Sequence, residues 1–184
     1  MFYQFPGPFI FHKEIEEHQE IKEKYLPMIM EDIKVNKDKY QKEDWNCDVC
    51  TSIDSKIDFL WDDMILDNVI WNPFDECIST VHLVHKPYES KIRDLWFNYY
   101  TEGFYQECHV HEFCHFSGIY ILSLDEENTT SFFNRGQVYS SGTYTTKKMK
   151  EGTVIIFPSE LIHYVNPVKK DRVTISFNIV TTFQ

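Results

Sequence analysis

The sequence predicts a mainly β, α+β fold in which a β-sandwich or jelly-roll barrel carries helices on its N-terminal side. Three observations point there. Aromatic and β-branched runs broken by turn residues fill the chain from Lys91 onward, helix-period apolar patterns are confined to the part before it, and the strand-like runs are short and closely spaced. With 184 residues, one domain is expected over 1–184, residues 1–90 forming mainly helical support and 91–184 the barrel core.

Glu14 to about Asp32 is rich in Glu, Lys, Ile and Met and reads as a solvated amphipathic helix, with Lys34 to Lys42 as a polar connector. Ile57, Leu60, Trp61, Met64 and Ile65 fall at i, i+3, i+4, i+7 and i+8, the signature of a second helix with one core-facing apolar side. Asn72 as N-cap, Pro73 at the first helical position and Asp75 and Glu76 in the first turn predict a third helix to about His85. His82 and His85 near its end read as solvated or capping residues. Ile92 to Tyr100 reads as a strand, Gly103 as a break, Tyr105 to His111 as the next strand and Ser117 to Leu122 as a buried one. Asn134-Arg135-Gly136 and Ser141-Gly142 read as hairpin turns, Gly152 to Pro158 as a strand ending at proline, and Arg172 to Val180 as the last long strand. No internal repeat is present.

Composition narrows the function classes. A net charge of -11 with no Lys/Arg run argues against direct nucleic-acid binding. The chain shows no secretory signal and no long apolar stretch, so a soluble, cytoplasmic protein without a membrane partner is expected. Five cysteines, an odd number without a small-scaffold spacing, fit a reducing compartment. Cys47 and Cys50 form a CxxC without a second pair, and ordinary buried cysteines are the better reading.

The chemistry-bearing residues lie in the β-rich half. His109 and His111, at i and i+2 of a predicted strand, share one face and could bind one metal ion. His163 follows a strand and a short turn that return it beside the barrel mouth. His115 lies in a predicted loop and reads as a supporting or solvated residue. Arg172, Thr174, Ser176 and Asn178 alternate with Val173, Ile175, Phe177 and Ile179. If the polar face points inward, the Arg172 guanidinium calls for a carboxylate, and a ligand carboxylate is the attractive partner; the alternative is that this face is the solvent side of an amphipathic strand.

Taken in order, Trp96-Phe97-Asn98, Gly103, His109-Val110-His111, Ser117 to Leu122, Phe157-Pro158-Ser159 with His163 and Pro167, and Arg172 with Ser176-Phe177-Asn178 resemble the Fe(II)/2-oxoglutarate-dependent dioxygenases. The likeness is nearest to a small branch from bacteria and phages, spans roughly 91–180, and extends to Trp45-Asn46-Cys47 and Thr51-Ser52. It implies a double-stranded β-helix, the cupin-like jelly-roll, with iron at its open end. Carried over, His109 is the first ligand, His111 occupies the carboxylate position and His163 is the distal histidine. Arg172 matches the residue that pairs with the far carboxylate of 2-oxoglutarate; Thr174 and Ser117 would line that pocket, and Asn98 would bind cosubstrate or substrate. Two departures stand out: His111 replaces the family's Asp or Glu, leaving three neutral ligands, and Ile121 stands where many relatives carry a second Tyr after Tyr120.

The implied activity couples decarboxylation of 2-oxoglutarate by dioxygen to hydroxylation of a primary substrate, with a protein side chain such as proline as the family-level guess. A three-histidine cupin-like enzyme without 2-oxoglutarate and a non-catalytic jelly-roll binding protein are the rival expectations. Neither the primary substrate nor the oligomeric state is written in the sequence.

Overall fold

The computed structural model describes residues 8–41, 47–81, 87–124, 130–134, 142–146 and 149–183. Among these residues ten strands form two antiparallel sheets. The larger runs β1 (Phe11–Glu14), β8 (Thr153–Pro158), β5 (Phe116–Leu124), β10 (Arg172–Phe183), β3 (Pro87–Tyr100) and β2 (Cys50–Thr51). The smaller runs β4 (Gln106–His109), β9 (Ile162–Val165), β6 (Thr130–Asn134) and β7 (Gly142–Thr145). This is the expected mainly β architecture, a double-stranded β-helix with helices on one side.

The larger sheet is covered on both faces, which explains why β5 and β8 read as continuous apolar runs. On its outer face Tyr120, Leu122, Val154, Ile156, Val173, Ile175, Phe177 and Ile179 join one core with the helices. On its inner face Ile119, Ile121, Ile155 and Phe157 pack with Phe132 of the smaller sheet. Within β5 the outer row includes Gly118, where an added Cβ would lie 2.0 Å from Cζ of Phe177. The Phe177 ring fills the space a side chain would need. Gly118→Ala is therefore expected to lower stability by about 1–3 kcal/mol through overpacking, read as a fall in the thermal midpoint.

Helix α1 (His18–Tyr40) starts later and runs further than the sequence pattern suggests. Glu14 belongs to β1, and the supposed connector from Lys34 continues the helix to Tyr40, with non-helical backbone at Asn36. Its buried stripe of Ile21, Tyr25, Ile29, Ile33 and Tyr40 explains the extension: packing Tyr40 edge-on against Phe97 at 5.3 Å outweighs the local polarity. The second predicted helix is a 3₁₀ turn, Asp58–Trp61, followed by α2 (Asp63–Ile65), capped by the Asp62 side chain. A π-helical stretch, Leu66–Trp71, leads without interruption into α3 (Asn72–Thr80). Asn72 is thus the first residue of α3 rather than a cap, because its backbone is already helical. The helix ends at Thr80, short of His85. His82, His85, Arg135, Gly136 and Ser141 lie outside the described residues.

No helix among the described residues is long and apolar enough to cross a membrane. All five cysteines are free thiols. Burial pushes the Cys50 thiol up to about 11, and burial followed by a hydrogen bond with Glu107 does the same to Cys47.

Candidate metal centre

β10 and β3 pair so that their inward rows coincide. Arg172 lies opposite Tyr100, Thr174 opposite Asn98, Ser176 opposite Trp96 and Asn178 opposite Asp94. Arg172, Thr174, Ser176 and Asn178 are all buried, so the polar face of β10 points into the barrel and the solvent-face alternative is removed. The opposite wall comes from the smaller sheet, where His109 on β4 and His163 on β9 are directly paired. Cross-strand partners stand close enough for their side chains to meet; these rings have centroids 4.2 Å apart.

His111 reaches the same point by a different route from the one expected. β4 ends at His109, and His111 lies in the following turn, held by its backbone N–H donating to the Ser159 carbonyl at 2.9 Å. Its ring nevertheless stacks on His109 at 5.3 Å and 18°. One potential ligand atom from each of His109, His111 and His163 lies within 4.8 Å of the others.

Hydrogen bonds identify which atoms these are. His109 Nδ1 contacts the Glu107 carbonyl at 2.8 Å and His163 Nδ1 the Leu161 carbonyl at 3.0 Å. A carbonyl only accepts, so both Nδ1 atoms carry hydrogen and both Nε2 atoms keep a lone pair. His111 Nδ1 lies 2.6 Å from Asn178 Oδ1 and 2.9 Å from Ser117 Oγ. Burial holds all three imidazoles below the usual histidine range: His111 down to about 4, His109 down, and His163 well down, with the neighbouring rings adding to the effect at His163. Three neutral imidazoles with ring nitrogens this close together fit a divalent metal.

Two spaces with shared walls lie at this point. The inner one, about 20 Å³, is lined by the three histidines, Trp96, Asn98, Arg172, Thr174 and others. The outer one, about 470 Å³, shares Trp96, Gln106, His109 and His111 with it and is rimmed by Asp54, Glu107, Glu112 and Phe113. Phe113 is 83% exposed and has a positive φ of 60°, a conformation that a bulky residue adopts only under constraint.

Arg172 lies 1% exposed at the inner end. Its Nη2 donates to Thr130 Oγ1 at 2.7 Å, and its guanidinium lies 5.1 Å from the Tyr100 ring centroid. Asn98 Nδ2 donates to Ser176 Oγ at 3.1 Å and its Oδ1 accepts from Trp96 Nε1 at 3.2 Å. Ser117 does not line the inner space; it stands behind His111 and bonds His111, Asn178 and Ser159. Tyr120 faces the other side of the sheet, its hydroxyl 2.7 Å from His18 Nδ1. His115 is exposed, accepts from the Thr181 N–H at Nδ1 and lies outside the cluster. Thr130 and Tyr100 had no sequence signal as neighbours of Arg172, since each comes from a different strand. Asn178 was visible as the last of the alternating polar residues on β10 and in the Ser176-Phe177-Asn178 segment of the family resemblance, but with no role of its own.

The jelly-roll barrel thus brings together three imidazoles that could hold a metal ion and a buried arginine at one end. Residues 94–178, a little under half of the chain, match a family model described as "Putative 2OG-Fe(II) oxygenase". Among solved structures the chain is similar to a prolyl-4-hydroxylase from Pseudomonas putida (TM-score 0.62, 9% identity, 96% of this chain and 94% of that one). It is also similar to a Trichoplax adhaerens prolyl hydroxylase solved with a hypoxia-inducible-factor degradation-domain peptide (0.63, 9%, 93% and 83%). A third likeness is to the collagen prolyl hydroxylase of Paramecium bursaria Chlorella virus-1, solved as a 2-oxoglutarate complex (0.54, 14%, 92% and 95%). No curated protein sequence matches the chain.

Proposed function

We propose that this chain is a hydroxylase in which His109, His111 and His163 hold Fe(II) and Arg172 receives the far carboxylate of 2-oxoglutarate, with Thr174 and Asn98 beside it. The observation that carries the reading is the placement of three imidazoles and one buried guanidinium around the same inner space. When bound, iron and cosubstrate would supply the oxidising chemistry, in which dioxygen gives one oxygen atom to 2-oxoglutarate, released as succinate and carbon dioxide, and the other to a substrate C–H bond.

The chain's own residues bind, orient and exclude water. Arg172, fixed by Thr130 and lying over Tyr100, offers a planar donor fork matched to a carboxylate. Trp96, Ile119 and Val165 wall the inner space, and the outer pocket is where a primary substrate would enter. Its acidic lining of Asp54, Asp94, Glu107 and Glu112 against the single Arg93 favours a neutral or cationic group. A protein side chain fits an open pocket of that size, and the prolyl hydroxylases sharing the fold make proline the first to test. Residues 1–184 act in this reading as one domain, 1–90 supporting the barrel of 91–184.

One observation favours a second reading. The space beside Arg172, about 20 Å³, has room for a water-sized group, so cosubstrate entry requires the lining side chains to give way. A three-histidine metalloenzyme that does not use 2-oxoglutarate needs no such movement. Anaerobic titration of the protein with Fe(II) and then 2-oxoglutarate separates the two: the proposed function expects a visible charge-transfer band, then succinate when oxygen is admitted. Fe(II) binding with neither band nor succinate overturns it in favour of the second reading.

A further inference from the structure

His111 stands where the ligand set of the family that the sequence resembles carries a carboxylate, and a carboxylate lies one side chain behind it. Asn178 on β10 is paired with Asp94 on β3 and with Ser117 on β5, so the three side chains form one cross-strand row. Asn178 Nδ2 donates to Asp94 Oδ2 at 2.9 Å, and Asn178 Oδ1 lies 2.6 Å from His111 Nδ1. A carboxylate oxygen can only accept from the amide, so Asp94 fixes which end of the Asn178 carboxamide faces His111. The end that faces it is the oxygen, which only accepts. His111 must therefore carry its hydrogen on Nδ1 and present the Nε2 lone pair to the cluster.

We propose that Asp94 and Asn178 are positioning residues that make His111 a metal ligand. Asp94 orients the Asn178 amide, the amide selects the His111 tautomer, and the carboxylate charge raises the donor strength of Nε2 through two successive hydrogen bonds. The negative charge absent from the three-histidine set is thus supplied from behind it. Ser117 completes the arrangement by donating to Asn178 Oδ1 at 2.8 Å while lying 2.8 Å from Ser159 Oγ. Arg93 Nε lies 3.5 Å from the same Asp94 oxygen, but both side chains are partly solvated and the pair offsets little of the charge. Asp94 also lines the outer pocket, so metal and substrate sites share this residue.

The inference rests on the metal reading of the three imidazoles, and its test keeps the two separable. Ring-nitrogen NMR of the metal-free protein near neutral pH should find hydrogen on Nδ1 in His109, His111 and His163. In Asp94→Asn the His111 signals should move toward the Nε2–H form. His109 and His163, which donate to backbone carbonyls, should not change and serve as the folding control. Co(II), titrated alone, should bind roughly tenfold or more weakly to Asp94→Asn. In a His111→Asp background the same substitution should cost less than about twofold, since the two sites are then uncoupled.

An Nε2–H tautomer at His111 in the native protein, or a tautomer indifferent to Asp94→Asn, overturns the proposal. So does Co(II) binding that is unaffected by Asp94→Asn, or equally weakened in both backgrounds. Failure of the native protein to bind Co(II) overturns the metal reading and the proposal with it. The tautomer comparison needs only the native and Asp94→Asn proteins, so it decides even where His111→Asp does not fold.

Discussion

His163→Ala is expected to weaken Fe(II) binding by more than about a hundredfold and to reduce succinate formation to background. Loss of a residue that merely orients a ligand costs roughly ten- to a hundredfold in metal affinity; loss of one of three direct donors should exceed that. The site also has little means of repair. His163 is 2% exposed, opposite His109 in the strand register, and packs against the rings of Phe132 and Phe157 at 5.8 and 4.8 Å. No other described histidine, cysteine or carboxylate belongs to the cluster. The same substitution removes a buried ring, so the metal-free protein should lose about 1–3 kcal/mol of stability, read by denaturant unfolding. Anaerobic Fe(II) titration of folded variant is the deciding measurement; retained affinity would remove His163 from the ligand set.

Arg172→Ala is expected to raise the KM for 2-oxoglutarate about 10- to 150-fold, the equivalent of the ~1.5–3 kcal/mol assigned to a hydrogen bond with a charged partner. Because the guanidinium lies at the inner end, away from the outer pocket, Fe(II) affinity measured without cosubstrate should stay near the native value. Arg172→Lys should fall between, keeping the charge but losing the planar fork. The variant also loses packing over Tyr100, so succinate formation is measured against 2-oxoglutarate concentration on protein verified to be folded. A native KM in Arg172→Ala would mean that the far carboxylate is held elsewhere.

Much of the barrel was legible because its signals are local. Ser117 to Leu122, Gly152 to Pro158 and Arg172 to Val180 carry β-branched and aromatic residues at strand spacing; the first and last lie within observed strands, and the second matches β8 except that the strand begins at Thr153. The N-terminal half was less legible where tertiary packing overrides local preference. Lys34 to Lys42 is polar, yet Tyr40 is buried and α1 continues into this segment as far as Tyr40. Asn72 and Pro73 carry the chemistry of a helix start, yet the π-helical turn before them has already set the backbone. The two-residue β2 had no signal of its own; its pairing with Tyr99 and Asn98 of β3 defines it.

The site shows the same division. Histidines at 109, 111 and 163, an inward-capable Arg172 and their order along the chain were properties of the sequence alone, and they were enough to indicate a metal and an anionic ligand. Only the tertiary structure decided that the β10 polar row faces inward, because that depends on what covers each side of the sheet. It also decided that His111 acts from a turn rather than from the strand, that Ser117 stands behind the cluster, and that Thr130 meets Arg172. Above all it brought Asp94 to Asn178 across 84 residues of sequence. Strand register, a long-range property, sets that pairing, and no local pattern in the chain encodes which side chain will stand behind an imidazole.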